Sequence, residues 1–301
     1  MTMKNTIILI TVGVLTTLLL GCKKMTLDAL AFPGEQTDEY LFEAFEGGEI
    51  VVPSQYDLTA ADRTLIEFNS IDQETGEQFK LYGVYIGDMA TISTDTVILY
   101  LHGQSKHMDY YWSRASLLAN VGGNLNYGVF MIDYRGYGRS EGTPSEQGLY
   151  EDADAAIDWL ISQGATADKT IYYGFSLGAI PTIDRAAYRT DFVPNRIIIE
   201  SPLASVQNLV DNSTLINVSA DFVTDLGFEN YEKIKLVTCP LLWMHGKEDD
   251  YIDIQNGELI YSNYGGTNKT AYRVEDCGHS EIPGKMGFET YISNLLNYIR
   301  N

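Results

Sequence analysis

"TIYYGFSLGAI", residues 170–180, decides the fold. An apolar, β-rich run leads without a break into G-x-S-x-G, and residues with helical spacing follow at once. A strand that enters a sharp turn and leaves as a helix lifts the serine hydroxyl out of the backbone. This is the geometry of a nucleophile elbow, and Ser176 stands at its apex. Gly174 and Gly178 flank it with no side chain to obstruct the close crossing of strand and helix.

Working outward, the same kind of run recurs along the chain. "TVILYLHG", "GVFMIDYRG", "RIIIESPL", "LLWMHGKED" and "AYRVEDCGH" are short, apolar and without polar alternation, as expected of parallel strands covered on both faces. Helical patterns separate them at about 109–120, 145–163, 178–190, 255–264 and 286–300. "TLIEF" and "FKLYGVYI" around "DQETGEQ" read as a hairpin at the leading edge. The fold class is therefore α/β: a doubly wound, mostly parallel sheet flanked by helices, over residues 61–301. Residues 203–235 interrupt the alternation and are expected to form a small cap.

A second G-x-S-x-G, "GRSEG" at residues 138–142, has a different context. Its strand ends near Asp133, glycines intervene, and the next helix is expected to start with Thr143 as N-cap, Pro144 in the first turn and Glu146 closing a capping box. Ser140 is thus a loop residue. Pro181, early after the elbow, predicts an irregular first turn for that helix.

A serine near its free pKa needs a base held by a third group. Of His102, His107, His245 and His279, only His279 follows the last expected strand and completes the order Ser, acid, His. The acid is sought after the penultimate strand, where Glu248, Asp249, Asp250 and Asp253 cluster. His102 reads as a structural loop residue and His107 as a surface residue. No cofactor or metal is called for, since no matching His/Asp cluster accompanies the acids.

At this point a resemblance can be named. "DYRGYGRSEGTPSEQGLYEDADAAIDWL", "GFSLGAIPTIDRAA", "ESPL", "CPLLWMHGKEDDYID" and "DCGHS" resemble the Bem46-like branch of the α/β-hydrolase serine hydrolases. The likeness implies the α/β-hydrolase fold and cleavage of a carboxylic ester or thioester through an acyl-enzyme. It selects Asp249 within H-G-x-x-D, and it implies an oxyanion hole from the N–H groups of Leu177 and of Gln104 or Ser105. Some relatives in that branch remove palmitate from proteins, but those carry a cysteine-rich lipidation segment at the N-terminus. A peptidase with the same triad and a non-catalytic binding lipoprotein are the alternatives. Tyr110, Tyr111 and Trp112 are candidates for an acyl pocket or for ordinary core packing.

That N-terminus, "MTMKNTIILITVGVLTTLLLGCKK", has the length of a signal-peptide apolar region rather than of a membrane span. "LLGC" resembles a bacterial lipobox, which implies cleavage before Cys22, a diacylglyceryl lipid on its sulfur and residence in the cell envelope. Residues 1–21 are then leader and residues 22–60 a tether or irregular lead-in. The net charge of −21 becomes −22 once Lys4 leaves with the leader. Such a surface repels phosphate backbones and anionic headgroups, so nucleic-acid binding is excluded and only the lipid would hold the protein to a membrane. The expected partner is an acyl or other small-molecule substrate. Cys239 and Cys277 fall at opposite ends of neighbouring strands, roughly 20 Å apart, and are expected to be free thiols.

Overall fold

Apolar runs without alternation form the inner strands, as expected, because both faces of the sheet are covered there, whereas the first strand at the edge alternates buried and exposed residues. The computed structural model describes residues 32–206 and 227–301. The expected leader, Cys22 and the middle of the expected cap lie outside the described residues. The strands are β1 (Arg63–Ile71), β2 (Gln78–Ile86), β3 (Val97–Leu101), β4 (Gly128–Asp133), β5 (Thr170–Phe175), β6 (Arg196–Glu200), β7 (Leu241–Gly246) and β8 (Lys269–Val274). They form one sheet in the order β1-β2-β4-β3-β5-β6-β7-β8. The β1–β2 and β2–β4 pairs are antiparallel, and every other neighbouring pair is parallel.

The period of two along each strand splits the core into two layers. Val97, Leu99 and Leu101 of β3 face one layer with Ile157, Ile180 and Ile260. Ile98 and Tyr100 face the other with Met108, Tyr291 and Leu295. The helices supplying these layers are α1 (Met108–Ala119), α2 (Glu146–Ser162), α3 (Ala179–Tyr188), the short α4 (Asn230–Lys233), α5 (Ile254–Asn263), α6 (Ile282–Met286) and α7 (Phe288–Arg300). Helices α1 and α7 cover one face, and α2, α3 and α5 the other. Each aliphatic side chain so enclosed contributes about 1.5–3 kcal/mol of transfer free energy.

Three local expectations need correction. Helix α2 begins after Ser145, not Thr143: Ser145 is extended, and its hydroxyl accepts the Gly148 N–H at 3.0 Å. The final helix α7 starts at Phe288, two residues after the expected 286, and a separate short helix, α6, precedes it across Gly287 at φ 84°. Strand β8 ends at Val274, so Cys277 follows a turn in which Asp276 has φ 47°. Cys239 and Cys277 are both buried free thiols, and burial pushes each up to about 12.

The described part of the lead-in, residues 32–62, is irregular chain packed onto the domain, with Phe32, Phe42, Tyr56 and Leu58 buried. It is fastened by polar contacts at several points. The Glu35 N–H donates to the Ser105 carbonyl, and the Leu41 and Phe42 N–H groups donate to the Asp109 carboxylate. This covering buries His107, which is 4% exposed beside the Tyr40 and Phe45 rings and is therefore not a surface residue.

Candidate active site

The elbow forms where the sequence places it. Strand β5 ends at Phe175, a single 3₁₀ turn spans Ser176–Gly178, and α3 follows at Ala179. The irregular turn puts Pro181 within the first α-helical turn, where a missing N–H costs little. Ser176 has φ 52°, a left-handed conformation that a serine holds only when its surroundings impose it. The crossing is close enough to require glycine: a Cβ on Gly178 would lie 1.9 Å from the Leu101 carbonyl oxygen. At the start of such a helical run the first N–H groups have no preceding turn to accept them.

His279 Nε2 lies 2.9 Å from Ser176 Oγ, and His279 Nδ1 lies 2.8 Å from Asp249 Oδ2. The imidazole sits between the Phe175 and Tyr251 rings, with centroids at 5.3 and 5.0 Å. The other oxygen of Asp249 accepts the Tyr251 and Ile252 N–H groups at 3.0 and 2.8 Å. His245 Nε2 stands 3.2 Å from Asp249 Oδ2 and 2.9 Å from the Ile252 carbonyl. Two acceptors at one ring nitrogen require that nitrogen to carry the proton. Burial alone would push the Asp249 carboxyl up, but hydrogen bonds from His245 and His279, reinforced by the Ile252 N–H, hold it well below the usual carboxylate range. Of the four acids in the loop it is therefore Asp249 that meets the imidazole. Asp250 is exposed and lines the acidic mouth beside His279 with Glu248, Asp276 and Glu281.

The other candidates are placed elsewhere. Ser140 is 1% exposed; its hydroxyl donates to the Asp133 carbonyl at 2.8 Å and accepts the Tyr82 N–H at 3.0 Å. It fastens a loop to β2 and meets none of the triad groups. His102 is fully buried, with Nε2 at 3.0 Å from Asp133 Oδ1 and Nδ1 at 2.7 Å from the Gly103 carbonyl. Asp133 also accepts the Met108 N–H and the Tyr40 hydroxyl, so the His102–Asp133 pair ties strand ends together and has its hydrogen bonds outside the Ser176–His279–Asp249 chain. Gly103 and Gln104 follow it in the loop facing the elbow. The Tyr111 hydroxyl donates to the Gln104 carbonyl at 2.8 Å, and Ser105 has φ 72°. Tyr111 stacks on His102 and Trp112 packs on Phe42, so both belong to the core; Tyr110 is half-buried.

Sequence reasoning missed Ser201. It follows β6 with φ 47°, and its hydroxyl donates to the His279 carbonyl at 3.0 Å. Its signal was its position: a polar residue at the carboxyl end of a strand in a doubly wound sheet.

A serine, an imidazole and a carboxylate in one hydrogen-bonded chain, at the carboxyl edge of a sheet of this topology, decide the family. The chain belongs to the α/β-hydrolase family. Residues 92–238 match the family described as Hydrolase_4, serine aminopeptidase S33. The α/β hydrolase domain-containing protein aho-3 of Caenorhabditis elegans is 34% identical over 203 residues, 67% of this chain and 57% of that protein. The mouse α/β hydrolase domain-containing protein 17C is 32% identical over 208 residues, 69% of this chain and 60% of that protein. The α/β hydrolase thus spans well under two thirds of these relatives' own length. Among solved structures, a Pyrococcus furiosus esterase superposes with a TM-score of 0.61 at 16% identity, covering 81% of this chain and 95% of that one. An α/β hydrolase from Vibrio vulnificus gives 0.59 at 20% identity, covering 79% and 81%. At such identities the structural likeness speaks for the fold.

Proposed function

We propose that this α/β hydrolase is a serine hydrolase of the Bem46-like branch, cleaving a carboxylic ester or thioester through an acyl-enzyme on Ser176. The observation that carries the reading is the unbroken chain from Ser176 Oγ through His279 to Asp249, with spacings of 2.9 and 2.8 Å. In this mechanism His279 Nε2 takes the hydroxyl proton as Ser176 attacks the carbonyl, then returns it to the leaving alcohol or thiol. Asp249 keeps the Nδ1 proton in place and stabilises the imidazolium that forms. The Leu177 and Gln104 N–H groups receive the developing oxyanion, each such donor being worth roughly 100-fold to 1,000-fold in rate. Water then enters by the same path and releases the acid. A lipid on Cys22 holds the enzyme to a membrane of the cell envelope.

A fluorophosphonate probe tests the nucleophile. It should label the wild-type protein and Ser140→Ala, and fail on Ser176→Ala. Labelling that follows Ser140 instead would overturn the assignment, and a wild-type protein that neither labels nor turns over short-chain nitrophenyl esters would leave a binding protein on a hydrolase scaffold. The family description names a serine aminopeptidase, and the same triad cleaves amides. Turnover of aminoacyl anilides in preference to esters would select that second reading.

A further inference from the structure

Behind the elbow lies an ion cluster that the proposed chemistry does not use. Arg114 of α1 is fully buried, as is Glu200 at the end of β6, and the Glu49 side chain from the lead-in is 1% exposed. Glu49 receives two bonds from the guanidinium, Nε to Oε2 at 2.9 Å and Nη2 to Oε1 at 2.8 Å, the bidentate fork that fixes orientation. Nη1 donates to Glu200, whose other oxygen accepts the Tyr173 and Tyr291 hydroxyls. The guanidinium stacks over the Phe175 ring at 4.2 Å, on the residue that precedes Ser176. Nη2 also reaches the Ser280 carbonyl at 3.3 Å.

That last bond matters because of its neighbour. The carbonyls of His279 and Ser280 are consecutive, and each is held from a different element, the first by Ser201 after β6 and the second by Arg114 on α1. Holding both fixes the two peptide planes that follow His279 in a loop otherwise open to solvent along its acidic rim. We propose that Arg114 and Glu49 are positioning residues for the reaction, with Glu49 aiming the guanidinium so that the Ser280 carbonyl, and with it the His279 imidazole, stays in register with Ser176. The lead-in is on this reading a working part of the active site. Loss of alignment by about 1 Å is enough for roughly a hundredfold loss of rate.

The inference rests on the serine-hydrolase reading, and the test separates the two. Full-length wild-type protein, Glu49→Gln, Arg114→Lys and Ser201→Ala are compared on a short-chain nitrophenyl ester, with Glu43→Gln, which alters a surface pair to Arg63, as the control. Glu49→Gln keeps the shape and loses the charged fork. It should lower kcat by on the order of tenfold to a hundredfold with KM nearly unchanged, and shift or broaden the downfield proton resonance of His279 Nδ1–H. Arg114→Lys and Ser201→Ala should do the same, and Glu43→Gln neither. A merely structural role predicts a lower melting temperature with kcat and the resonance unchanged in the folded protein, and that result overturns the proposal. Should Arg114→Lys not fold, Glu49→Gln and Ser201→Ala decide. A wild-type protein without ester turnover or probe labelling would count against the hydrolase reading, while the resonance would still report whether Glu49 positions His279.

Discussion

Asp249 shows how much one residue's environment decides. Four acids lie between residues 248 and 253 after β7, and their side chains are chemically alike. What separates Asp249 is the set of donors around it: two imidazoles and two backbone N–H groups converge on a buried carboxylate and keep it ionised. An ionised acceptor holds the His279 proton on Nδ1 and leaves Nε2 bare toward Ser176. Asp249→Asn puts an amide there that can donate as readily as accept, so the wrong tautomer becomes available. On the proposed mechanism kcat should fall roughly ten-thousand-fold with the fold intact, while Asp250→Asn leaves kcat as it was. Steady-state kinetics on a nitrophenyl ester check this, and a loss that follows Asp250 would reassign the acid. At this scale the sequence was legible where strand context and chain order constrain a residue, as for Ser176 and His279, while Asp249 was singled out among four acids only by the family resemblance. It was not legible where a partner arrives from far along the chain. His107 looked exposed because nothing near it in sequence says that Tyr40 and Phe45 fold over it.

Among the elements, the strand-turn-helix around Ser176 is the most constrained. Strand β5 lies beside β3, and α3 starts so close to the end of β3 that Gly178 leaves no room for a methyl group against the Leu101 carbonyl. Backbone cannot yield as a flexible side chain can. Gly178→Ala should therefore cost about 1–3 kcal/mol of stability and move the turn enough to remove most of the ester activity. Gly284→Ala in α6, whose nearest neighbour would be Phe288 Cζ at 4.0 Å, should be neutral or slightly stabilising. Urea unfolding midpoints of the two variants decide the matter: equal midpoints would mean that the elbow has slack the structure does not show. The inner strands were readable in advance because burial on both faces forbids polar alternation, a signal that survives without knowledge of neighbours. Helix ends were less so. Thr143, Pro144 and Glu146 satisfied a capping pattern on paper, yet Ser145, two residues on, took the cap, because either hydroxyl could and only the tertiary path of the loop chooses between them.

The whole molecule raises a question that the site does not answer: what holds it where its substrate is. Its net charge is strongly negative, and among the described residues no helix is long and apolar enough to cross a membrane. An anionic surface is repelled by anionic headgroups, so charge alone does not dock this protein on such a membrane. A single acyl chain gives only marginal, reversible binding, whereas two chains suffice, and the diacylglyceryl group implied by the lipobox-like "LLGC" supplies two. The lead-in adds a geometrical point. Residues 32–62 are fastened to the loop after β3 through Glu35 and to Arg114 through Glu49, so the described lead-in is part of the folded domain. Cys22→Ser should therefore move the protein from the membrane fraction, where a high-salt wash does not release it, to the soluble fraction, and leave kcat on a water-soluble ester unchanged. Fractionation of both proteins with the membrane, or of both without it, would show that Cys22 carries no anchor.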